Sequence, residues 1–245
     1  FFATNLDDGT IYQIDNLGLT GVIVDSFDPD EAAAGLALDN GLPGMPTFGD
    51  NLWGIGVANN AVYYSVWRQG TTTDPILIRK VDLDGSGNLI KPSDQTVFTV
   101  PPTASAGGSR STPVSDIAFS AAGTKMVLGE RGLFNTVGGD YYTTANHVGP
   151  VKIIEFISGS WTMTNGMDTG NSGSPSEGYG GIAYGYENGN PEELIWMGSA
   201  DMITGAGPYG LQGVRPSDFP ATVATAPMSY LVPYDPGYTA AGPVV

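Results

Sequence analysis

The chain contains no cysteine and a single histidine among its 245 residues. Without cysteine there is no disulfide framework, no thiolate metal site and no cysteine nucleophile. One histidine cannot by itself build a multi-histidine metal site. The Gly-x-Ser-x-Gly elbow that holds many catalytic serines is also absent from the sequence. No apolar run reaches the roughly 18 residues that a membrane-spanning helix needs, so no membrane span is expected.

Positive charge is scarce as well. The chain carries 9 lysines and arginines against 25 aspartates and glutamates, which gives a formal net charge of −16. The cations are dispersed, and only Arg79 and Lys80 are adjacent. Phosphate backbones and anionic lipid surfaces repel such a chain at long range, so nucleic acid is not an expected partner. This charge balance fits an extracellular protein or one that meets divalent cations.

Glycine and proline are abundant, at 36 and 18 residues, and they are spread between short apolar runs along the whole chain. This distribution is typical of many short strands joined by turns. A length of 245 residues is ordinary for one all-β domain, so residues 1–245 are expected to form a single domain.

Four segments repeat one layout, in which an apolar strand rich in small residues meets a tight polar turn and then a bulkier strand. They cover residues 2–15, 54–67, 116–129 and 181–197. Each is predicted to be a β-hairpin, because turn residues such as Gly9, Asn59 and Gly123 tolerate the positive φ that tight turns require. The repeat divides the chain into units of about 1–51, 52–113, 114–179 and 180–245.

Further alternating apolar runs follow the hairpins and predict the outer strands of each unit. These runs are residues 21–27, 75–82, 95–100, 150–157 and 228–234. Only residues 31–38 have a helical pattern, about two turns long. Small residues at Gly54, Gly56, Ala118 and Gly181 fit strands that are crowded near a central axis.

These repeats predict an all-β fold, a β-propeller of about four or five antiparallel blades with long loops rich in Gly, Pro and Ser. The alternative is a two-sheet β-sandwich, which has the same alternation but no reason to repeat one hairpin four times. The units exceed the about 40 to 50 residues of a bare blade, so long loops are expected. They are residues 32–51, 101–113, 133–149, 168–180 and 204–227.

Residues 114–131 resemble a group of uncharacterised secreted bacterial proteins whose propeller-like region often sits beside surface-repeat modules of the serine-aspartate-repeat B type. Three more stretches are similar to that group. The second unit is matched by residues 52–57 with 62–67, the third by residues 151–156 with 161–162, and the fourth by residues 209–213. The resemblance implies a propeller-like fold and a location outside the cell or at the cell surface. It implies no established activity.

Residues 82–89 contain the beginning of a calcium-loop pattern. Asp82, Asp84, Ser86 and Asn88 place oxygen atoms at positions 1, 3, 5 and 7, with glycine at position 6. Ser93 stands at position 12, where the pattern expects a bidentate glutamate. The segment therefore predicts either a calcium site or a plain Asp/Gly hairpin turn.

A second candidate is an axial site near the expected inner strand ends, formed by Asp116, Glu130, Arg131, His147 and Asp201. Carboxylates that converge on an axis hold a cation, and one of them could orient His147 as a base. The alternatives are structural. Glu130 and Arg131 would form an ion pair that ties down the following loop, the aspartates would cap turns, and His147 would bond to a carboxylate.

The aromatic residues suggest carbohydrate stacking or core packing. Those on predicted strands, among them Tyr63 and Trp161, are expected to pack in the core. Four tyrosines in predicted loops are candidate exposed contacts, namely Tyr141, Tyr142, Tyr179 and Tyr209.

Two functions fit these observations. The first is a non-catalytic extracellular or cell-surface propeller, a structural, assembly or adhesion module stabilised by calcium. Its partners would be further copies of itself or other cell-surface proteins and glycans, and unpaired outer strands would offer edges for strand addition. The alternative is a calcium-dependent propeller hydrolase, lactonase-like or glycan-cleaving, in which an axial cation polarises a substrate oxygen. No cofactor other than calcium is expected.

Overall fold

The computed structural model describes residues 1–5, 9–16, 18, 20–29, 50–68, 75–103, 112–135, 142–144, 149–167, 178–187, 190–199, 210–218 and 229–233. These residues form antiparallel β-strands and a short 3-10 helix at Pro216–Asp218. The predicted all-β class is confirmed. No helix in the described ranges is long and apolar enough to cross a membrane.

The strands form four main sheets and one small hairpin. The first sheet contains, in order, β1 (Phe2–Asn5), β2 (Thr10–Asn16) and β3 (Gly21–Phe27). The second contains β4 (Asp50–Ala58), β5 (Ala61–Arg68), β6 (Ile76–Leu83) and β7 (Leu89–Val100). The third has β8 (Val114–Phe119), β9 (Lys125–Glu130), β12 (Val151–Ile157) and β13 (Ser160–Met167). The fourth has β14 (Gly178–Glu187), β15 (Asn190–Ser199), β16 (Gly210–Val214) and β17 (Ser229–Pro233), while β10 (Leu133–Asn135) pairs with β11 (Tyr142–Thr144).

Each main sheet begins with one of the four predicted hairpins: β1 with β2, β4 with β5, β8 with β9, and β14 with β15. The turn residues adopt the positive φ that the sequence predicted, at 68° for Gly9, 50° for Asn59, 58° for Asn60 and 65° for Gly123. The predicted outer strands are also present, and β3 occupies residues Gly21–Phe27 as expected. Each of the four main sheets therefore starts at one of the four segments that share the hairpin layout.

The four sheets pack face to face in chain order, with a cluster of buried side chains between each sheet and the next. The first cluster joins Ile11 and Phe27 to the second sheet, the next joins Trp67 to Met126 of the third, and the last joins Val127 to Ile195 of the fourth. The second and third sheets are therefore buried on both faces. Four stacked sheets contradict the alternative of a two-sheet sandwich.

The first strands of adjacent sheets approach each other closely. A Cβ atom on Gly54 would lie 2.9 Å from the Asp116 nitrogen, and one on Gly56 would lie 2.6 Å from the Ile117 carbonyl oxygen. The crowding predicted at these two glycines is confirmed. The same prediction for Gly181 is wrong, because a Cβ there would meet nothing within 4 Å, and the crowded glycine is its neighbour Gly180, at φ +81°.

We expect Gly56→Ala to lower the free energy of unfolding by about 1–3 kcal/mol, because the new methyl group must push apart two packed backbones. Gly166→Ala in β13 is the matched control, since the nearest atom to its Cβ lies 3.7 Å away. That variant should stay within about 0.5 kcal/mol of the parent. Urea denaturation of the three proteins measures both effects, and equal losses in the two variants would contradict close packing at Gly56.

Four of the predicted loops contain strand residues in the described ranges. Residues 133–149 include β10 and β11, and residues 204–227 include β16. In addition, β4 begins inside residues 32–51 and β14 begins inside residues 168–180. Short runs of this kind carry little apolar alternation, and β16 has two glycines in five residues. The helical pattern at residues 31–38 lies outside the described residues.

Candidate functional site

Asp84 organises the turn between β6 and β7. Its Oδ1 accepts hydrogen bonds from the backbone N–H groups of Ser86 at 2.8 Å and Asn88 at 2.9 Å, and its Oδ2 accepts one from the Asn88 amide at 3.1 Å. These bonds, led by those from Asn88, lower the pKa of the Asp84 carboxyl. Asp82 instead pairs with Lys80 Nζ at 2.7 Å. This geometry has the form of the hairpin-turn alternative, and calcium binding here stays a prediction.

Asp116 connects the third sheet to the fourth. One carboxylate oxygen accepts a hydrogen bond from the N–H of Ile117 at 2.9 Å, and the other accepts one from the N–H of Ile182 in β14, also at 2.9 Å. Burial raises the pKa of the Asp116 carboxyl, and the two backbone hydrogen bonds oppose that rise. Both oxygens are thus bonded to backbone N–H groups in strands, so Asp116 bridges β8 and β14 and does not cap a turn.

Glu130 connects the third sheet to the end of β7. Its side chain is fully buried, forms an ion pair with Lys152 of β12 and accepts a hydrogen bond from the Thr112 hydroxyl. Lys152 Nζ also donates to the Pro101 carbonyl at 2.8 Å and to Thr103 Oγ1 at 3.0 Å. Burial raises the pKa of the Glu130 carboxyl, and Lys152 opposes the rise. The pair holds both ends of the connection between β7 and β8.

The proposed axial residues take separate structural roles where they are described. Asp116 bonds to the fourth sheet, Glu130 accepts a hydrogen bond from Thr112 in the connection between β7 and β8, and the backbone N–H of Arg131 donates to the Pro113 carbonyl at 3.0 Å. Lys152, which the sequence analysis did not single out, takes the ion-pair role predicted for Arg131. His147 and Asp201 lie outside the described residues. Within the described ranges, no three histidine or acidic side chains form a group that could hold a metal ion.

The four candidate contact tyrosines are only partly placed. Tyr142 is the first residue of β11 and Tyr179 is the second of β14, so the backbone of both is in a strand and the loop prediction is wrong for them. Tyr141 and Tyr209 lie outside the described residues.

A buried polar network in the second sheet was not predicted. The Arg79 guanidinium donates to both oxygens of Asp94, at 2.6 Å from Nη2 and 3.3 Å from Nε, and to Thr96 Oγ1 at 2.8 Å. Tyr64 donates its hydroxyl to Asp94 Oδ1 at 2.6 Å. Burial and the Asp94 carboxylate raise the pKa of Tyr64, so the hydroxyl keeps its proton. The available signal was an arginine inside an apolar strand, since a buried cation requires a partner.

A cleft of about 550 Å³ lies between the second and third sheets. Its apolar wall consists of Tyr63, Val97, Phe156 and Trp161. Its polar lining includes Asn59, Lys80, Gln95, Thr96 and Ser160. A volume in the range of roughly 300 to 1,000 Å³, with apolar walls and a few polar groups, is typical of small-molecule sites.

Trp161 is the centre of the aromatic wall. Its ring lies 6.1 Å from that of Tyr63, 6.1 Å from that of Phe119 and 5.2 Å from that of Phe156, with interplanar angles of 86°, 64° and 60°. These are edge contacts, a favourable arrangement for aromatic pairs. Tyr63 is buried as predicted, whereas Phe156 is 47% exposed. The prediction of core packing therefore holds for Tyr63, whereas Phe156 at the other end of the cluster is exposed to solvent.

No family model and no curated protein matches this sequence. Among solved structures, the crystal structure of an ACO/RPE65 chimera in a monoclinic form is similar to this chain over 88% of the chain's length, at 11% sequence identity and a TM-score of 0.39. This chain spans 43% of that protein's chain. At this level of similarity, a function has to be argued from the chain's own residues.

Proposed function

We propose that this chain is a non-catalytic extracellular or cell-surface module whose four sheets are the blades of a β-propeller and whose function is assembly with further copies of itself. The two carboxylates that were candidates for catalysis, Asp116 and Glu130, are both bonded to structural partners, which supports a non-catalytic function. The acidic net charge agrees with a display module outside the cell.

The observation that carries the proposal is the outer edge of the first sheet. In the described residues β3 is the last strand of this sheet, and it pairs with β2 on one side only. Three consecutive apolar side chains on β3 are exposed, with Val22 at 53%, Ile23 at 60% and Val24 at 51%. An apolar edge strand without proline is a template for another strand, and natural proteins usually protect such edges with charges.

A second copy of β3 fits this edge. In an antiparallel pair centred on Ile23, Val22 faces Val24 of the partner strand, and the two Ile23 side chains face each other. Asp25 then faces Gly21, so the acidic side chain of one copy does not oppose its equivalent in the other. Asp25 is also neutralised by Lys91 Nζ at 3.0 Å. The pairing brings apolar residues together and avoids direct repulsion between like charges.

We expect the parent protein to form dimers or larger assemblies in a concentration-dependent way, and Ile23→Lys to abolish them, because that change places two ammonium groups opposite each other. Sedimentation velocity over a wide range of concentration, with calcium present, measures the assembly. Each copy has a formal charge of −16, so added salt should strengthen the association by screening the overall repulsion.

Leu211→Lys is the matched control. Leu211 is 49% exposed, but its strand β16 is paired on both sides, with β15 and β17. This variant should assemble like the parent. A parent protein that stays monomeric at the highest concentration and salt, or an Ile23→Lys variant that still assembles, would show that the β3 edge has no such function.

A further inference from the structure

Two tight hairpin turns contribute to the rim of the cleft between the second and third sheets, through Asn59 in one turn and Gly159 in the other. On one side, Asn59 and Asn60 have φ values of 50° and 58°. On the other, Ser158 and Gly159 have φ values of 52° and 88° and connect β12 to β13. Two consecutive residues with positive φ define the rigid two-residue hairpin. The Asn59 amide also donates to the Gly123 carbonyl at 2.8 Å, which fixes the first rim to the third sheet. The opening is therefore built from backbone with little freedom.

Two aromatic side chains in the wall of this cleft, Phe156 and Trp161, are only partly buried. Phe156 and Trp161 face each other across β12 and β13, which pair at these two residues. Because Trp161 meets its aromatic neighbours by edge contacts, its ring is not stacked in parallel on any of these three. An exposed phenyl ring beside a partly exposed indole is costly to leave in water, and it offers apolar faces to the C–H groups of a ligand.

The polar lining is rich in neutral hydrogen-bonding groups. Gln95, Thr96 and Ser160 supply an amide and two hydroxyl groups. The lining includes one cation, Lys80, and its ammonium group is paired with Asp82 at 2.7 Å. A chain with a formal charge of −16 repels anionic ligands at long range. Neutral polar groups over an aromatic wall suit a ligand with many hydroxyl groups and apolar C–H faces.

We propose that this cleft binds a short neutral saccharide, with a sugar ring packed against Phe156 and Trp161 and its hydroxyl groups bonded to Gln95 and Ser160. The lining residues of this site belong to the second and third sheets, whereas the β3 edge belongs to the first. It gives the protein a ligand in addition to its self-assembly, and neither proposal depends on the other.

Calorimetric titration with neutral tetrasaccharides tests this site. The probes are cellotetraose, maltotetraose, mannotetraose and fully N-acetylated chitotetraose, and tetragalacturonic acid serves as the anionic comparison. We expect at least one neutral probe to bind and the anionic one to bind more weakly. Phe156→Ala should weaken that binding about tenfold, because the ring supplies much of the contact area. Gln95→Ala should weaken it several-fold, because an exposed amide contributes one hydrogen bond.

Ile157→Ala is the matched control, since Ile157 is 44% exposed, follows Phe156 on the same strand and does not line the cleft. It should bind the saccharide like the parent. Thermal melting of each variant confirms that it is folded before binding is compared. The proposal is overturned if none of the neutral probes binds, if the anionic probe binds at least as tightly, or if Phe156→Ala and Gln95→Ala bind unchanged.

Discussion

Replacing Lys152 with methionine should lower the free energy of unfolding by about 3–5 kcal/mol. The Lys152 side chain is 10% exposed and its partner Glu130 is fully buried, so the change leaves a carboxylate in the interior without its counter-charge. The hydrogen bonds to the Pro101 carbonyl and to Thr103 are lost as well. Breaking one member of a buried pair costs far more than removing a surface ion pair. Urea denaturation at neutral pH measures the loss.

The pH dependence of this variant identifies the cause. Burial already raises the pKa of Glu130 in the parent, and removal of Lys152 takes away the strongest opposing influence. A carboxyl whose folded-state pKa lies above its unfolded value binds a proton more readily when folded. Its favourable contribution is therefore fully present below the ordinary value of about 4.5 and is lost as the pH rises through the folded-state pKa. The deficit of Lys152→Met should shrink as the solution is acidified.

The double variant Glu130→Gln with Lys152→Met is the control for this interpretation. It has no unpaired buried charge, so it should recover much of the stability that Lys152→Met loses at neutral pH. Glutamine at position 130 does not titrate, so this residue gives the double variant no pH dependence of stability. A Lys152→Met variant as stable as the parent at neutral pH would contradict the structural role of the pair. A deficit that is unchanged between acid and neutral pH would place its origin in packing instead of charge.

The hairpins were predictable because their signals are local. The turn glycines and asparagines, and the period-two alternation of segments such as Gly21–Phe27, act over a few residues and do not depend on the rest of the fold. Stacking of the sheets was also foreseeable at Gly54 and Gly56, where a side chain would collide with the neighbouring strand. Position Gly181 shows the limit, because a shift of one residue moves the crowded site to Gly180.

The polar partners were not predictable, because they depend on strand register and on long insertions. Glu130 was expected to pair with its sequence neighbour Arg131, but β9 pairs with β12, which begins after the β10–β11 hairpin and supplies Lys152. Arg79 and Asp94 are 15 residues apart, and register shifts in the pairing of β6 and β7 decide which residues meet. A one-residue slip would turn either side chain to the opposite face.

The sequence does not predict the cleft. For Trp161 it allows sugar stacking or core packing, and it favours core packing because this residue lies on a predicted strand. Strand position does not separate the two, because β12 and β13 are the outer pair of the third sheet and the register of β9 with β12 ends at Glu155. Phe156 and Ile157 are exposed at 47% and 44% where these strands approach their turn. Only the arrangement of the sheets shows that an aromatic there lines an opening.

Replacing Arg79 with methionine should cost about 3–5 kcal/mol of stability, because Asp94 is left with a side chain that is 2% exposed and no counter-charge. Arg79→Lys should recover only part of this. One ammonium group cannot reproduce the planar fork that bonds both oxygens of Asp94 and also reaches Thr96. Tyr64→Phe removes a single neutral donor to the carboxylate and should cost about 1–2 kcal/mol. Chemical denaturation of the three variants gives this order directly.

The coupling of the stability losses in double variants shows whether these residues form one network or three independent contacts. In the double variant Arg79→Met with Tyr64→Phe, Asp94 loses its remaining hydroxyl donor as well, so the combined loss should exceed the sum of the single losses. The variant Arg79→Met with Asp94→Leu removes both charges and should be more stable than Arg79→Met alone, because an apolar pair suits this position between β6 and β7 better than an unpaired carboxylate. Additive losses, or an Arg79→Lys variant as stable as the parent, would mean that the bidentate geometry does not stabilise the second sheet. The expected order of stabilities would mean that this network fixes the register of β5, β6 and β7. That register places Gln95 and Thr96 in the wall of the cleft.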